Sequence, residues 1–197
     1  SASACALETL EEETNLPIID VVRPGARTAL ETTVNGKIGV IATEATICSG
    51  IYKRYIEESG KSVSTISKAC PLFVPLVEEG LWEDPVTDEI AGRYLAELID
   101  SGIDTLILGC THYPLIRSTV GRIMGEKVCL VNPAYETARA LKQLLEKKGL
   151  ESEKRPGLGT ELYRFFVSDA ADKFQKFANS ILPYGILSAK VINIEEF

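Results

Sequence analysis

The sequence predicts an α/β protein with mostly parallel sheets flanked by helices on both faces. Short apolar segments of strand length alternate with amphipathic segments of helix length along nearly the whole chain, and this alternation is typical of βαβ units. The apolar segment 106–108 is uninterrupted, as expected of a strand that is buried on both faces. It stops at Gly109, and Pro114 stands where the next helix would begin.

The first part of the chain supplies the beginning of this series. A helix is expected at the start because Ala4, Leu7 and Leu10 recur at helical spacing. Strands are predicted at 17–22, 37–41 and 62–68, and helices at 26–33 and 47–59. Residues 69–80 contain two prolines and are predicted to be a loop with one helical turn.

The second part of the chain continues the alternation. Amphipathic segments that stop at Gly102 and Gly149 predict helices, because glycine commonly follows the last helical turn. Helices are predicted at 87–101, 115–124, 135–148 and 170–182, and strands at 106–108, 128–131 and 162–167. The polar segment 151–160 is expected to be a loop, and the tail 188–197 is expected to add an edge strand.

Composition and charge argue against several classes of partner. Asp and Glu outnumber Lys and Arg by 28 to 21 and no basic block is present, so nucleic acid and anionic membranes are not expected as partners. No apolar segment approaches the ~20 residues of a transmembrane helix. The five cysteines are widely spaced without a CxxC pair, and there is one histidine. This pattern indicates a reduced, cytoplasmic protein without a metal site.

A candidate functional site follows the predicted strand 106–108. Cys110, Thr111 and His112 come directly after it, and the carboxyl ends of parallel strands are where such folds bind ligands. A thiol near an imidazole and the start of a helix can be held as a thiolate or close to one. A cysteine alone is more often a small core residue, but three such residues at one strand end favour function. The remaining cysteines are predicted to be buried and structural: Cys5, Cys48, Cys70 and Cys129.

Two further groups of polar residues could converge on the same edge of the sheet. Thr43 and Thr46 follow the predicted strand 37–41, where hydroxyl groups can hold a carboxylate or simply cap the next helix. Glu78 and Glu79 lie in the 69–80 segment. Adjacent carboxylates usually form a solvated face, and the alternative is that one of them pairs with His112.

Five segments of this chain resemble glutamate racemase, the cofactor-independent amino-acid racemase of bacterial cell-wall synthesis. They are PIIDVVRPGA (17–26), IGVIATEATI (38–47), ACPLFVPLVEEG (69–80), LILGCTHYPL (106–115) and FFVSDAADKF (165–174). The resemblance covers nearly the whole chain in register, and its most specific motifs are GCTHYPL and CPLFVPLVE. It implies two pseudo-symmetric α/β domains with the active site in the cleft between them, and racemisation of L- and D-glutamate for peptidoglycan without a cofactor.

The resemblance also implies roles for individual residues. Cys110 resembles the cysteine that handles the proton on the L-glutamate side, with His112 as the assisting histidine. Glu78 resembles the acid that pairs with this histidine, and Glu79 is the contender. The substrate-binding positions of the family match Ser1, Thr43, Thr46 and Thr111.

The resemblance further divides the chain and leaves part of the site outside it. It implies an inner domain at 24–132 and a remnant of the second domain at 1–23 and 133–197. Residues 1–4 match only the tail of the family's Cys-Asn-Thr-Ala-Ser/Thr-Ala motif, so the first catalytic cysteine is expected upstream and this chain alone is expected to be inactive. The resemblance leaves open whether the protein forms a homodimer.

Two alternatives to a glutamate racemase remain. One is a racemase of the same family that acts on aspartate or hydantoins, and the other is a non-catalytic binding protein.

Overall fold

The computed structural model describes residues 2–152, 163–183, 185 and 188–196. It divides into two compact units, Ser1–Gly149 and Leu150–Phe197. The elements of the first unit, in chain order, are α1 (Ala2–Glu13), α2 (Val22–Thr32), β1 (Lys37–Ala42), α3 (Glu44–Cys48), α4 (Ile51–Glu57), β2 (Ser64–Ala69), α5 (Phe73–Glu78), α6 (Pro85–Asp100), β3 (Thr105–Leu108), a 3₁₀ helix (Tyr113–Ile116), α7 (Arg117–Met124), β4 (Cys129–Val131) and α8 (Pro133–Lys148).

The first unit is built on a four-stranded sheet in the order β2-β1-β3-β4. All three pairs of neighbouring strands are parallel, and Val40 in β1 lies opposite both Ser67 in β2 and Ile107 in β3. The predicted parallel α/β fold is therefore confirmed. β1 and β3 occupy the centre, and their side chains are buried almost throughout.

Helices cover both faces of this sheet. On one face, Ile38 and Val40 pack in a buried cluster with residues of α2 and α4. On the other face lies α6, and a Cβ at Gly39 would come within 3.6 Å of Leu98 Cδ2 in this helix and 2.4 Å of Ile103 Cδ1 just after it. Each large aliphatic side chain buried in such a core contributes about 1.5–3 kcal/mol to the free energy of folding. This packing stabilises the central strands β1 and β3, which end at Ala42 and Leu108.

Asp104 closes the amino end of the sheet by accepting several hydrogen bonds. Its carboxylate accepts from Thr33 Oγ1 at 2.6 Å and from the backbone N–H groups of Val34 and Asn35 at 2.7 and 2.6 Å. Desolvation by itself raises the pKa of Asp104, but these hydrogen bonds outweigh it and hold the pKa below its ordinary value. The charged carboxylate therefore stabilises the turn between α2 and β1.

Replacing Asp104 by asparagine is expected to lower the free energy of unfolding at pH 7 by about 1–3 kcal/mol. The two backbone N–H groups donate to Oδ2 and the hydroxyl of Thr33 donates to Oδ1, whereas an amide has one acceptor oxygen and cannot accept from both groups of donors. Since the folded-state pKa is depressed, the stability is present above the unfolded pKa of about 3.9 and is lost as the pH falls below it. Urea titrations at pH 7 and pH 3 measure this. The difference in free energy of unfolding between the wild type and Asp104→Asn should be smaller at pH 3 than at pH 7. Asp100→Asn, at an exposed position, is the control and should have the free energy of the wild type at both pH values.

Several predicted elements differ from the structure. The strand predicted at 17–22 is absent, and the helix predicted at 26–33 already begins at Val22, because Asp20 Oδ1 accepts hydrogen bonds from the N–H groups of Val22 and Arg23. The predicted helix 47–59 is two helices, separated at Gly50, where φ is +65°. The predicted loop 69–80 contains the helix α5, which tolerates Pro75 because the first-turn N–H groups need no helical partner.

The second unit contains β5 (Phe165–Val167), α9 (Ala171–Ile181), β6 (Ala189–Val191) and a 3₁₀ helix (Ile194–Glu196). β5 and β6 pair in parallel, and the rings of Phe165 and Phe174 lie 6.0 Å apart. The strand predicted at 162–167 is thus present at 165–167, and the predicted edge strand of the tail is present at 189–191. Most of the loop predicted at 151–160 lies outside the described residues.

The four-stranded sheet lies within residues 37–131 and thus inside the predicted inner domain 24–132. The division of the chain between that domain and a second one, made of 1–23 and 133–197, stays a prediction.

Candidate active site

A cavity of about 340 Å³ opens at the carboxyl end of the central strands. It lies where the chain leaves β1, β3 and β4, the position at which open parallel sheets bind ligands. Its lining includes the predicted site residues Thr43, Thr46, Cys110, Thr111 and His112. The structure therefore brings together two of the three predicted groups in one cavity.

Cys110 is placed by the end of β3. The N–H of Gly109 donates to the carbonyl of Ile41 in β1 at 2.7 Å, so the strand pairing continues up to the residue before the cysteine. The N–H of Tyr113 then donates to the carbonyl of Cys110 at 3.2 Å and turns the chain into the 3₁₀ helix. The half-buried thiol lies 3.9 Å from His112 Nδ1. The apolar strand and the tight turn thus fix the sulfur against the imidazole.

Burial dominates the acidity of Cys110. Desolvation raises its pKa above the ordinary value, although the N–H groups of His112, Tyr113 and Thr111 act in the opposite direction. The structure thus indicates a thiol at neutral pH rather than the thiolate that the sequence suggested. A proton acceptor beside Cys110 is needed to convert this thiol into a nucleophile or base.

His112 is held between Cys110 and Glu78. Its Nε2 lies 3.4 Å from Glu78 Oε1, and its Nδ1 lies 3.4 Å from Thr111 Oγ1. A proton on Nε2 directed at the carboxylate leaves the Nδ1 lone pair directed at the thiol. Of the two adjacent acids, Glu78 contacts the imidazole, whereas Glu79 is exposed at the end of α5. The third predicted group thus joins the site through His112.

Thr43 and Thr46 border the cavity on the β1 side. Thr43 is the N-cap of α3, and its hydroxyl lies 3.1 Å from that of Thr46, which is buried. The capping function that the sequence left open for Thr46 is therefore performed by Thr43. Both residues are part of the cavity lining, and a threonine hydroxyl is able to donate to a carboxylate. Ser1, the fourth predicted substrate-binding residue, lies outside the described residues.

Two polar lining residues were not predicted from the sequence. Asn132 lines the cavity from the end of β4, and its Oδ1 accepts from the N–H of Ala134. The strand-end rule that identified Cys110 would have found it. Tyr52 lines the cavity from α4 and is buried, and burial, followed by the nearby Asp20 and Cys110, raises its pKa. No sequence pattern marks Tyr52, because its approach depends on how α4 packs.

The other cysteines with described side chains lie outside this cavity lining. Cys70 is buried, and desolvation raises its pKa to about 12, which agrees with a structural thiol. Cys48 and Cys129 are exposed, so the prediction that they are buried was wrong. Position 48 ends the short helix α3, and position 129 begins an edge strand, which explains their exposure.

The described residues contain no group of three or more His, Cys, Asp and Glu placed to hold a metal ion. In the same part of the chain, no helix has the length and apolar character required to cross a bilayer.

The fold and the site together define a parallel α/β protein in which a cysteine, a histidine and a carboxylate lie in series at a cavity beyond the carboxyl ends of the strands. The family model for Asp/Glu/Hydantoin racemase matches residues 1–152. The chain is 43% identical to the glutamate racemase of Geobacter metallireducens over 182 residues. This alignment covers 92% of this chain and 66% of that protein. The chain therefore belongs to the Asp/Glu/hydantoin racemase family.

Solved structures show the same likeness. The glutamate racemase isoform RacE1 of Bacillus anthracis is 36% identical, with a TM-score of 0.90 over 98% of this chain and 71% of that one. The glutamate racemase of Francisella tularensis, solved in complex with D-glutamate, is 30% identical, with a TM-score of 0.88 over 100% of this chain and 72% of that one. This chain thus spans about two thirds of the length of its relatives.

Proposed function

We propose that this chain carries the L-glutamate side of a cofactor-independent glutamate racemase. The observation that carries the proposal is the contact of Cys110 with His112 at a cavity that is also lined by three threonines. His112 in turn contacts Glu78. The similarity of the chain to proteins named glutamate racemase, one of them solved in complex with D-glutamate, supports glutamate as the substrate. Aspartate and hydantoins are the alternatives within the family.

The proposed chemistry begins with a proton transfer inside the protein. Cys110 passes its thiol proton to His112 Nδ1, and Glu78 stabilises the cation that forms. The thiolate then takes the α-proton of L-glutamate, so that the electron pair of the C–H bond stays on the α-carbon. The negative charge spreads into the α-carboxylate, to which Thr43, Thr46 and Thr111 donate hydrogen bonds.

Inversion also requires an acid on the opposite face of the α-carbon. Cys48, Cys70 and Cys129 do not line the described cavity. We infer that a second cysteine contributed from outside this lining returns the proton, and that Ser1 belongs to the substrate contacts on that side. Because Cys110 is the one cysteine among the described side chains that lines this cavity, we expect the chain to exchange the α-proton from one face without racemising glutamate.

A deuterium exchange experiment tests this proposal directly. The chain is incubated with L- or D-glutamate in D₂O, and loss of the α-proton is followed by NMR while optical rotation reports racemisation. L-glutamate should lose its α-proton with its configuration retained, D-glutamate should exchange far more slowly, and L-aspartate should exchange less than L-glutamate.

The matched control is Cys129→Ser, which removes an exposed thiol outside the cavity and should leave exchange unchanged. Faster exchange of D-glutamate would contradict the proposed face, and exchange of neither enantiomer would favour a non-catalytic binding protein. Racemisation by the chain alone would contradict the need for a second cysteine from elsewhere. A supply of D-glutamate for peptidoglycan and a cytoplasmic location complete the proposal, which leaves a homodimer open.

A further inference from the structure

The pair formed by Glu78 and His112 depends on two segments that are far apart in the sequence. Glu78 ends α5, which follows β2, whereas His112 lies between β3 and the 3₁₀ helix. Their side chains meet at 3.4 Å and are about a quarter exposed. An ion pair of this exposure does not fix the position of two backbone segments by itself, so another contact must hold them in register.

The residue after His112 supplies such a contact. The hydroxyl of Tyr113 donates to the carbonyl of Cys70 at 2.8 Å, in a buried hydrogen bond. Cys70 directly follows β2, and its own N–H donates to the carbonyl of Ala42 at 3.0 Å. The hydroxyl of Tyr113 is therefore attached to a backbone position that the central sheet already fixes.

The ring of Tyr113 makes a second contact with the same segment. It packs edge-to-face against Phe73, the first residue of α5, with a centroid distance of 5.2 Å. Phe73 in turn packs edge-to-face against Tyr94 of α6 at 5.3 Å. Tyr113 and Phe73 are fully buried. Such ring pairs prefer one geometry over others, so they orient the start of α5 relative to the His112 segment.

The far end of α5 is fixed as well. Trp82 Nε1 donates to the carbonyl of Val77 at 2.8 Å, one residue before Glu78. With Phe73 held at one end and Val77 at the other, the six-residue helix has a defined position. The carboxylate of Glu78 is thereby delivered to His112 Nε2.

We propose that Tyr113 is a positioning residue that sets the tautomer of His112 by holding Glu78 against its Nε2. This inference rests on the proposed function in one respect only, the use of His112 Nδ1 as the base for Cys110. Tyr113 does not line the described cavity, and its action is therefore indirect.

The test uses this chain without turnover. His112 is the only histidine, so its ¹⁵N signals are assigned without ambiguity. We expect the Nε2–H tautomer in the wild type. Tyr113→Phe retains the ring contact but removes the hydrogen bond, and it should shift His112 towards a mixture of tautomers. The rate at which iodoacetamide alkylates Cys110, measured by peptide mapping, should fall about tenfold. A positioned base contributes roughly 10²-fold or more, and the variant is expected to lose part of that contribution.

A double-variant comparison separates positioning from a general structural effect. Glu78→Gln should slow Cys110 alkylation at least as much as Tyr113→Phe, and adding Tyr113→Phe to Glu78→Gln should slow it no further. Tyr55→Phe is the matched control, since it removes a hydroxyl that accepts from Arg23 Nε at 2.8 Å outside the cavity lining. It should leave the His112 signals and the Cys110 rate unchanged.

Two results would overturn the role of Tyr113. One is that the ¹⁵N signals of His112 are unchanged in folded Tyr113→Phe. The other is that Tyr113→Phe slows the alkylation of Cys110 equally in the wild type and in Glu78→Gln. Should Tyr113→Phe not fold, Phe73→Leu removes the ring contact instead and is expected to give the same shift, and an unchanged tautomer there would overturn the role equally. Because these readouts need no glutamate, failure of the exchange experiment with these readouts intact would count against the proposed function alone.

Discussion

Replacing Cys110 by alanine is expected to lower α-proton exchange of L-glutamate by roughly 10²- to 10⁴-fold, because a positioned acid–base group contributes about that much. In a racemase that also supplies the second cysteine, the same change should abolish conversion in both directions. Each direction needs a base on one face and an acid on the other, so that Cys110 participates in both. NMR exchange and optical rotation measure the two effects.

Cys110→Ser provides a graded comparison. A hydroxyl group retains the shape of the thiol but is a far poorer base at neutral pH, so only trace exchange is expected. Cys48→Ser removes an exposed thiol and should have no effect. Appreciable conversion of either enantiomer by Cys110→Ala would contradict the two-cysteine mechanism.

The parts of the fold that the sequence predicted are those governed by local pattern. β1 and β3 are continuous apolar segments, and they form the buried centre of the sheet. The segment 17–19 is similarly apolar but is followed by Asp20, whose carboxylate accepts from the first N–H groups of α2. Hydropathy does not distinguish a strand from an apolar segment that leads into a helix, since the difference lies in which backbone groups find partners.

The candidate site shows the same limit. Cys110 and Thr43 could be placed from the sequence because each follows a strand of a parallel sheet, and all such ends lie at one edge. The choice between Glu78 and Glu79 could not be made in that way. It depends on the length of α5 and on how the segments around α5 and His112 pack, for example through the hydrogen bond from Tyr113 to the carbonyl of Cys70, 43 residues away in the sequence.

Gly109 provides the second prediction with a large expected effect. A Cβ at this position would lie 2.9 Å from the carbonyl oxygen of Ile41 and 3.2 Å from Tyr52 Cε2. The first of these atoms belongs to the backbone of β1, so Gly109→Ala cannot be accommodated by rotating a side chain. The variant is expected to lower the free energy of unfolding by about 1–3 kcal/mol, as overpacking does. It should also displace Cys110, the next residue, and reduce exchange of L-glutamate.

Gly92→Ala is the matched control for this change. Gly92 lies within α6, and a Cβ there meets nothing within 4 Å. Alanine is favoured over glycine inside a helix by about 0.8–1 kcal/mol, so this variant should be slightly more stable than the wild type and equally active. Urea unfolding followed by circular dichroism gives both free energies. Equal stabilities of Gly109→Ala and Gly92→Ala would show that β3 can move away from β1, and that close packing at Gly109 does not position Cys110.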